Sequence, residues 1–127
     1  MEQRTPISPW LFRQCLFSPQ DFEALDSSNN PALRLLKDQA TDWIPVVEAQ
    51  GWESGGCSLH DAVAASAIIR SDLFRYQKEH SVQVNLDFGP ERGITHAQLQ
   101  DGQGNLGIAT GLDVPNCKAF IQSRLGS

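Results

Sequence analysis

Two adjacent residues, His60 and Asp61, combine a side chain that can move a proton with one that can bind a cation. An imidazole titrates near neutral pH and therefore serves as a general acid or base. A carboxylate offers oxygen atoms that can bind a cation. A structural interpretation stands beside this one, because Asp61 at a helix start can simply offset the helix dipole, and a lone histidine is often an ordinary surface residue.

A glycine-rich segment, Gly102–Gly107, matches the G-x-G-x-x-G pattern of dinucleotide-binding loops letter for letter. That pattern binds a nucleotide only where a strand precedes it and a helix follows, because the helix N-terminus faces the pyrophosphate. Here the strand-like residues Ile108–Thr110 follow instead. We therefore expect a hairpin turn that binds no nucleotide.

Two histidines and two tryptophans offer further side chains that could bind metals or stack on sugars. His80 and His96 stand alone among polar residues, and we expect solvated positions there rather than metal ligands. Trp43 and Trp52 are expected in the core or at the edge of the helical part. No neighbouring residue supports a sugar-stacking role for either ring.

The charge and composition of the chain limit its partners. It has 127 residues and a net charge of −5, and no cluster of Lys or Arg offsets that average, which argues against nucleic-acid binding. No apolar run approaches the ~18 residues that cross a bilayer, so we expect no membrane partner. The cysteines are odd in number and lack C-x-x-C spacing, which argues against disulfides or a zinc site and favours the cytoplasm; they are Cys15, Cys57 and Cys117. We predict one domain over residues 1–127.

Two helix-start signals precede the His-Asp pair. Leu11–Phe17 is predicted to be a strand, and Ser18-Pro19-Gln20-Asp21 then begins a short helix that ends by Asp26–Asn29. In this start the serine caps the helix, proline fits the first helical position, and Asp21 reaches back as in a capping box.

The second start signal, Asn30-Pro31, opens a longer helix that runs to Gln50. Apolar residues recur along it at helical spacing: Leu33, Leu36, Ala40, Trp43, Ile44 and Val47. Pro45 lies inside this pattern, and because proline lacks the backbone N–H, it predicts a kink or break near Asp42.

The rest of the chain is predicted to change from helix to strand and back. A loop over Gly51–Ser58 leads into an alanine-rich helix from about Leu59 to Arg70, which carries the His-Asp pair at its start. Asp113 is predicted to cap a closing helix over Val114–Leu125.

Three strands are predicted between these helices. Val82–Phe88 alternates apolar and polar residues, as a half-buried strand does. Gly93–Leu99 and Leu106–Thr110 are the other two, and the glycine-rich segment between them predicts that they pair as a hairpin. The predicted fold class is therefore α/β, with helices first, then a short strand and hairpin region, then a closing helix.

The stretch Gly56–Ile69, with its flanks, resembles the C-terminal part of nucleoside hydrolases, in which a His-Asp pair opens an alanine-rich helix. Other segments, before and after this stretch, also resemble the family and occur in the family's order. They are Phe17–Phe22, Asn30-Pro31, Ile68–Phe74, Val82–Phe88, Arg92–Thr95, Asn105 and Asp113–Leu125. The resemblance covers nearly the whole chain and implies the C-terminal portion of a nucleoside hydrolase-like α/β fold.

The resemblance implies hydrolysis of the N-glycosidic bond of a nucleoside, with a Ca²⁺ ion as cofactor. It implies that Asp61 holds a metal-ligand position and that His60 holds the catalytic position beside the leaving base, where in some branches of the family the histidine serves as the acid. The family's Asp-x-Asp-x-x-x-Asp-Asp cluster and its Asn-x-x-x-Glu-Phe-Asn segment are absent from this sequence. Because Ca²⁺ takes about six to eight oxygen ligands and Asp61 supplies at most two, we expect the chain alone to bind no Ca²⁺ and to be inactive.

Two hypotheses for function remain open on the sequence. The chain is a truncated, fragmentary or split nucleoside hydrolase that meets a nucleoside once completed, or a non-enzymatic module that retains the sub-fold for interaction. Both predict a homo-oligomer or a complementing chain, because apolar residues would lose the strands that the parent fold packs on them. Those residues are Leu33, Leu36, Ile44, Val47, Val63, Ala67 and Ile68. Alternatively, the chain packs its own strands over these residues and stays monomeric.

Overall fold

The first half of the chain is mainly helical, and its two start signals act as predicted. The computed structural model describes residues 5–6, 9–27, 29–99 and 106–126. Helix α1 spans Pro19–Glu23, and the backbone N–H of Ser18 donates to the Asp21 carboxylate at 2.7 Å. Helix α2 spans Pro31–Ala49, and the side chain of its cap, Asn30, accepts from the N–H of Ala32 at 3.0 Å.

Helix α2 continues through Pro45, so of the kink or break predicted near Asp42 the break is wrong. Pro45 has no N–H to donate to the Thr41 carbonyl, which is its usual helical partner. Both residues are exposed, so water can bind this carbonyl instead. On the opposite face Ile44 and Val47 are buried in the core. This packing holds the helix together on both sides of the proline.

The predicted strand over Leu11–Phe17 is also wrong for most of its length. Residues Pro9–Gln14 form a 3₁₀ turn, and only Leu16–Phe17 form a strand, β2. Leu11 and Cys15 are both buried, and their spacing of four residues is helical, whereas Cys15 and Phe17 share the two-residue spacing of a strand. The apolar run therefore contains two different periods.

The loop after α2 contains a short strand, β3, over Cys57–Ser58, which pairs antiparallel with β2. Helix α3 follows over His60–Ile69 and packs against the closing helix α4. Helix α4 spans Val114–Leu125, with the bounds that the sequence predicts. Its cap, Asp113, accepts from the N–H of Asn116 at 3.2 Å.

A four-stranded antiparallel sheet combines one short strand from the start of the chain with the three strands that lie between α3 and α4 in the sequence. Its strands are β1 (Thr5–Pro6), β4 (Phe74–Val84), β5 (Thr95–Leu99) and β6 (Leu106–Leu112), in the order β1-β5-β4-β6. Strand β4 therefore lies between β5 and β6, and the predicted β5–β6 hairpin is wrong. The hairpin of this sheet is β4–β5 instead. Residues 100–105, and with them most of the glycine-rich segment, lie outside the described part of the chain.

Strand β4 begins well before the predicted start at Val82 and ends at Val84. Beyond it, Asn85 starts a turn, because its side chain accepts from the N–H of Asp87 at 2.9 Å. Leu86 and Phe88 continue the alternating pattern but are exposed in this turn. Alternation therefore predicts the strand in the right region and with the wrong bounds.

A single cluster of buried side chains connects the helices to the edge of the sheet. It combines residues from both ends of the described chain: Leu11, Cys15, Phe17, Phe22, Leu25, Ala40, Ile44, Val47, Cys57, Val63, Leu73, Phe74, Cys117 and Ile121. Ile44, Val47 and Val63 therefore pack in the chain's own core, and the expected open face does not include them. Ile68 remains exposed, at 87%. No helix of the described residues is long and apolar enough to cross a membrane.

Candidate functional site

His60 and Asp61 form the first turn of α3. The carbonyl of Leu59 accepts the first helical hydrogen bond from the N–H of Val63 at 3.0 Å, so the pair sits where the backbone N–H groups of α3 point outward. Asp61 is exposed, and the His60 side chain is about half exposed. Both side chains are therefore accessible from one side of the molecule, and the positive end of the helix dipole favours the Asp61 carboxylate there.

The segment before α3 is fixed by a close approach of two backbones. Gly56 is buried, and a Cβ atom at this position would lie 2.4 Å from the carbonyl oxygen of Phe17 in β2. No residue larger than glycine fits there without a shift of the backbone. This contact and the β2–β3 pairing hold the start of α3 against the core.

A buried carboxylate, that of Glu53, lies directly behind His60. The Glu53 side chain is 7% exposed, and its Oε1 atom lies 3.8 Å from the Nε2 atom of His60. Its other oxygen, Oε2, accepts from the backbone N–H of Ser58 at 2.9 Å. Glu48 binds the same loop further along, where its Oε1 atom accepts from the N–H of Gly55 at 2.8 Å. The hydrogen bond from Ser58 therefore holds the Glu53 carboxylate next to the imidazole.

The ring of Phe12 also contacts His60. The two rings are 5.8 Å apart between centroids and cross at 65°, an edge-to-face arrangement. Sequence reasoning missed Phe12 and Glu53 as neighbours of His60. Phe12 is distant in the chain, and Glu53 sits in a loop without periodicity, so only the tertiary structure shows either contact.

The donor groups around Asp61 do not by themselves make a calcium site. Within residues 5–6, 9–27, 29–99 and 106–126, no three carboxylate, imidazole or thiol groups converge as metal ligands. Asp61 offers two carboxylate oxygens, whereas Ca²⁺ takes about six to eight oxygen ligands. The described residues therefore do not fit the family's cation without donors from elsewhere.

Helix α3 is apolar on both of its faces. Val63 and Ser66 are buried on the inner face, where the Ser66 hydroxyl donates to the Ala62 carbonyl at 2.8 Å. The outer face repeats at helical spacing and is exposed; its residues are Asp61, Ala64, Ala65, Ile68 and Ile69. A helix that is apolar all round is typical of one covered on all sides. We call these five residues the α3 outer face.

The other histidines and the tryptophans lie on different elements from the His-Asp pair. His96 is partly buried in β5, and among the described residues its Nδ1 atom has neither solvent contact nor a hydrogen-bond partner, so the side chain is less solvated than expected. The side chain of His80 lies outside the described residues. Trp43 and Trp52 are about half exposed, with ring centroids 6.5 Å apart, at the edge of the helical part.

All three cysteines are buried free thiols. Burial is the main cause that raises the pKa of Cys15 to about 12, and the neighbouring Cys117 raises it further. Burial likewise raises the pKa of Cys117 and of Cys57. These thiols are therefore neutral core groups, and none is activated as a nucleophile.

Two clefts in the described structure lie away from the His-Asp pair. One of about 440 Å³ is bounded by α1, α2 and the following loop, and one of about 380 Å³ lies at the β4–β5 turn. Neither is lined by His60 or Asp61. Within the described part of the chain, Asp61 is exposed and His60 is about half exposed, so the pair is open to solvent beside the rest of the α3 outer face.

The fold of this chain is similar to that of two solved proteins. The chain is similar to the purine-preferring ribonucleoside hydrolase from Gardnerella vaginalis, with 25% identity over 91% of this chain and a TM-score of 0.77. It is also similar to a plant nucleoside hydrolase, with 19% identity over 92% of this chain and a TM-score of 0.75. No family model and no curated protein sequence matches the chain.

The resemblance and the α/β fold class predicted from the sequence are confirmed by these structures. The chain spans 37% and 39% of the length of the two hydrolases. Most of each solved protein therefore has no counterpart among these 127 residues.

Proposed function

We propose that this chain is a nucleoside hydrolase-like polypeptide that forms one wall of an N-glycosidase site and is inactive in isolation. One observation carries the proposal: a fold matched by nucleoside hydrolases over nine-tenths of the chain exposes His60 and Asp61 side by side at the start of α3. In the proposal His60 is the acid that protonates the departing base. Asp61 is a carboxylate ligand within a calcium site whose other oxygens come from a further polypeptide segment.

The role of His60 follows from the chemistry of N-glycosidic cleavage. The departing base gains electron density as the bond to the sugar breaks, and a positioned acid lowers that barrier by protonating it. An imidazole is suited to this step because its pKa lies near physiological pH in most environments. His60 is accessible on one side and contacted by Glu53 and Phe12 on the other, which restricts its position without closing it off from a ligand.

The proposal includes a further polypeptide on the α3 outer face. Ile68 and Ile69 are 87% and 64% exposed, and the same helix face ends at Asp61. A segment that covered these isoleucines would extend toward Asp61 and could bring its own oxygen ligands there. This covering chain is either a second copy or a complementing polypeptide. We place the protein in the cytoplasm, where three thiols remain reduced.

The activity of the isolated chain is the first test. With inosine or uridine and millimolar Ca²⁺, we expect no release of free base, because Asp61 alone offers too few ligands to hold the ion. Base release is measured by chromatography. The inactivity is contradicted if Ca²⁺-dependent release occurs and disappears in Asp61→Asn while Asp42→Asn, an exposed control on α2, keeps it.

Complementation tests the site itself. The chain is mixed with the part of the Gardnerella vaginalis hydrolase that has no counterpart in it, and association and purine nucleoside hydrolysis are both measured. We expect activity in the mixture that is lost with His60→Gln and with Asp61→Asn. If the two polypeptides associate and hydrolysis does not depend on His60 or Asp61, the assignment of this site is wrong.

A non-enzymatic interaction module is the second candidate, and the apolar outer face of α3 is the observation that favours it. In that case the chain uses the face for association and has no use for the His-Asp pair. Association that is unchanged by Asp61→Asn, together with inactivity in the complementation experiment, would favour this candidate over the hydrolase.

A further inference from the structure

We propose that Glu53 is the positioning residue of His60, and that it fixes both the orientation of the imidazole and the nitrogen that carries the proton in the neutral ring. In this arrangement Nε2 is the protonated nitrogen that faces Glu53, and Nδ1 is left as the acceptor. The significance of this arrangement for catalysis rests on the proposed function: because Glu53 holds the Nε2 proton, His60 acts as an acid only when Nδ1 carries a second proton. The arrangement itself is a property of the folded chain.

The burial of Glu53 is the first observation that supports this role. Carboxylates are rarely buried unless their oxygens are paired, because removal from water is costly for a charged group. The Glu53 side chain is 7% exposed, and its Oε2 atom is satisfied by the N–H of Ser58 at 2.9 Å. The remaining oxygen, Oε1, has the imidazole of His60 within 3.8 Å.

The geometry fixes which imidazole nitrogen is involved. The atom nearest to Glu53 is Nε2, and an ionised carboxylate can only accept a hydrogen bond. A neutral imidazole therefore approaches Glu53 favourably only with its proton on Nε2. At 3.8 Å the two atoms are farther apart than in a hydrogen bond, and a side-chain adjustment of about 1 Å would give a charge-assisted hydrogen bond of ordinary length. The edge-to-face contact with Phe12 limits how the ring can turn away from this position.

A purely structural role is the competing explanation, since the Ser58 hydrogen bond also stabilises the loop before α3. Glu53→Gln separates the two roles. The glutamine carbonyl can still accept from the Ser58 N–H, so the loop keeps its hydrogen bond. The amide N–H₂ group then faces His60 and needs an acceptor, which favours the tautomer with the proton on Nδ1. If Glu53 only stabilises the loop, Glu53→Gln should leave the His60 tautomer unchanged. If Glu53 positions His60, the substitution should move the proton from Nε2 to Nδ1.

The experiment uses the full chain with ¹⁵N-labelled histidine, and two-bond ¹H–¹⁵N correlations in mildly alkaline solution, where an imidazole is normally neutral. His60→Gln identifies the signals of His60 among the three histidines. We expect the Nε2–H pattern in the wild-type chain and a shift to the Nδ1–H pattern in Glu53→Gln. The matched control is Glu48→Gln, which alters another carboxylate that binds this loop and should leave the pattern unchanged.

The proposal is overturned if Glu53→Gln folds and keeps the wild-type pattern, or if Glu48→Gln changes it equally. If Glu53→Gln does not fold, the wild-type spectrum decides: an Nδ1–H pattern overturns the proposal, and a slowly exchanging Nε2 proton supports it. No substrate is needed for these measurements. Inactivity in the complementation experiment would therefore reject the hydrolase proposal without affecting this one.

Discussion

At Gly56 one added carbon atom should destabilise the fold beside the candidate site. The Cβ of Gly56→Ala would lie 2.4 Å from the carbonyl oxygen of Phe17, and backbone cannot yield as a flexible side chain can. We expect the free energy of unfolding to fall by about 1–3 kcal/mol, the range for overpacked interiors. Urea denaturation followed by circular dichroism measures this change.

The matched control for this prediction is Gly107→Ala in β6. A Cβ there would meet its nearest neighbours, atoms of Tyr76, at 3.8 Å, an ordinary contact distance. We expect a change well below that of Gly56→Ala. Equal effects of the two substitutions would show that the close approach of Gly56 to Phe17 is not the cause of the lost stability.

Cys15 predicts a loss of stability in alkaline solution. Its pKa is raised from an ordinary value of 9.0 to about 12, mainly by burial, so the folded chain keeps a proton that the unfolded chain releases. The stabilisation is complete below about pH 9 and is lost as the pH rises toward 12. Urea denaturation across this range should show a falling free energy of unfolding, with a shallower slope in Cys15→Ala. An identical slope in the variant would contradict the prediction.

At the scale of elements, Asp21 connects the first helix to the last. Its Oδ2 atom lies 2.6 Å from Nζ of Lys118, and its Oδ1 atom accepts from the Gln122 amide at 2.8 Å. Burial by itself opposes ionisation, but hydrogen bonds from Lys118 and Ser18 outweigh it and hold the pKa of Asp21 below its ordinary 3.8. This carboxylate therefore stabilises the α1–α4 contact.

Asp21→Asn should lower the free energy of unfolding by about 1.5–3 kcal/mol at neutral pH, the range for hydrogen bonds to charged groups. Because the folded pKa is depressed, the stabilisation is present above pH 3.8 and is lost as the pH falls below it. Denaturation at neutral and acid pH should thus show a difference between wild type and variant that shrinks in acid. Asp38→Asn, exposed on α2, is the control, and a pH-independent difference would contradict the role of the charge.

The elements that could be predicted from the sequence are those with local chemical signals. The caps at Ser18, Asn30 and Asp113 are satisfied within three residues of the chain, so the starts of their helices were readable. The early part of β4 could not be predicted, because its own sequence is polar and it pairs with β6, about 30 residues further along the chain. Strand order likewise depends on distant pairing, which is why the β5–β6 hairpin was predicted wrongly.

The candidate site divides in the same way. His60 and Asp61 could be identified from residue type, spacing and the alanine-rich helix that follows them. The partly buried state of His96 and the contact of Glu53 with His60 could not, because both arise where separate segments pack together. The apolar positions of α3 were recognised, but three-dimensional packing decides which of them are covered.

At the scale of the whole molecule, the α3 outer face predicts self-association or capture of a partner. Its two isoleucines, Ile68 and Ile69, are 87% and 64% exposed, and a contiguous apolar patch is unfavourable in water. We expect the purified chain at micromolar concentration to sediment with a mass that rises with concentration. Ile68→Ser combined with Ile69→Ser should reduce that rise while the chain stays folded.

Leu86→Ser is the matched control for this prediction, since Leu86 is 74% exposed but lies at the β4–β5 turn. It should leave association unchanged. A monomer of 14.0 kDa at all concentrations that binds no hydrophobic dye would contradict the prediction. Dissociation by Leu86→Ser in place of the α3 substitutions would move the interface to the sheet.

The position of α4 in the core also bears on how the protein is made. Cys117 and Ile121 of α4 are buried beside Cys15 and Phe17, which a ribosome synthesises about a hundred residues earlier. During translation the early apolar segments therefore wait, without their final neighbours, until α4 has left the exit tunnel. Over that interval their apolar side chains are open to chaperones and proteases, and we expect the yield of folded protein in a cell to depend on how quickly translation reaches α4.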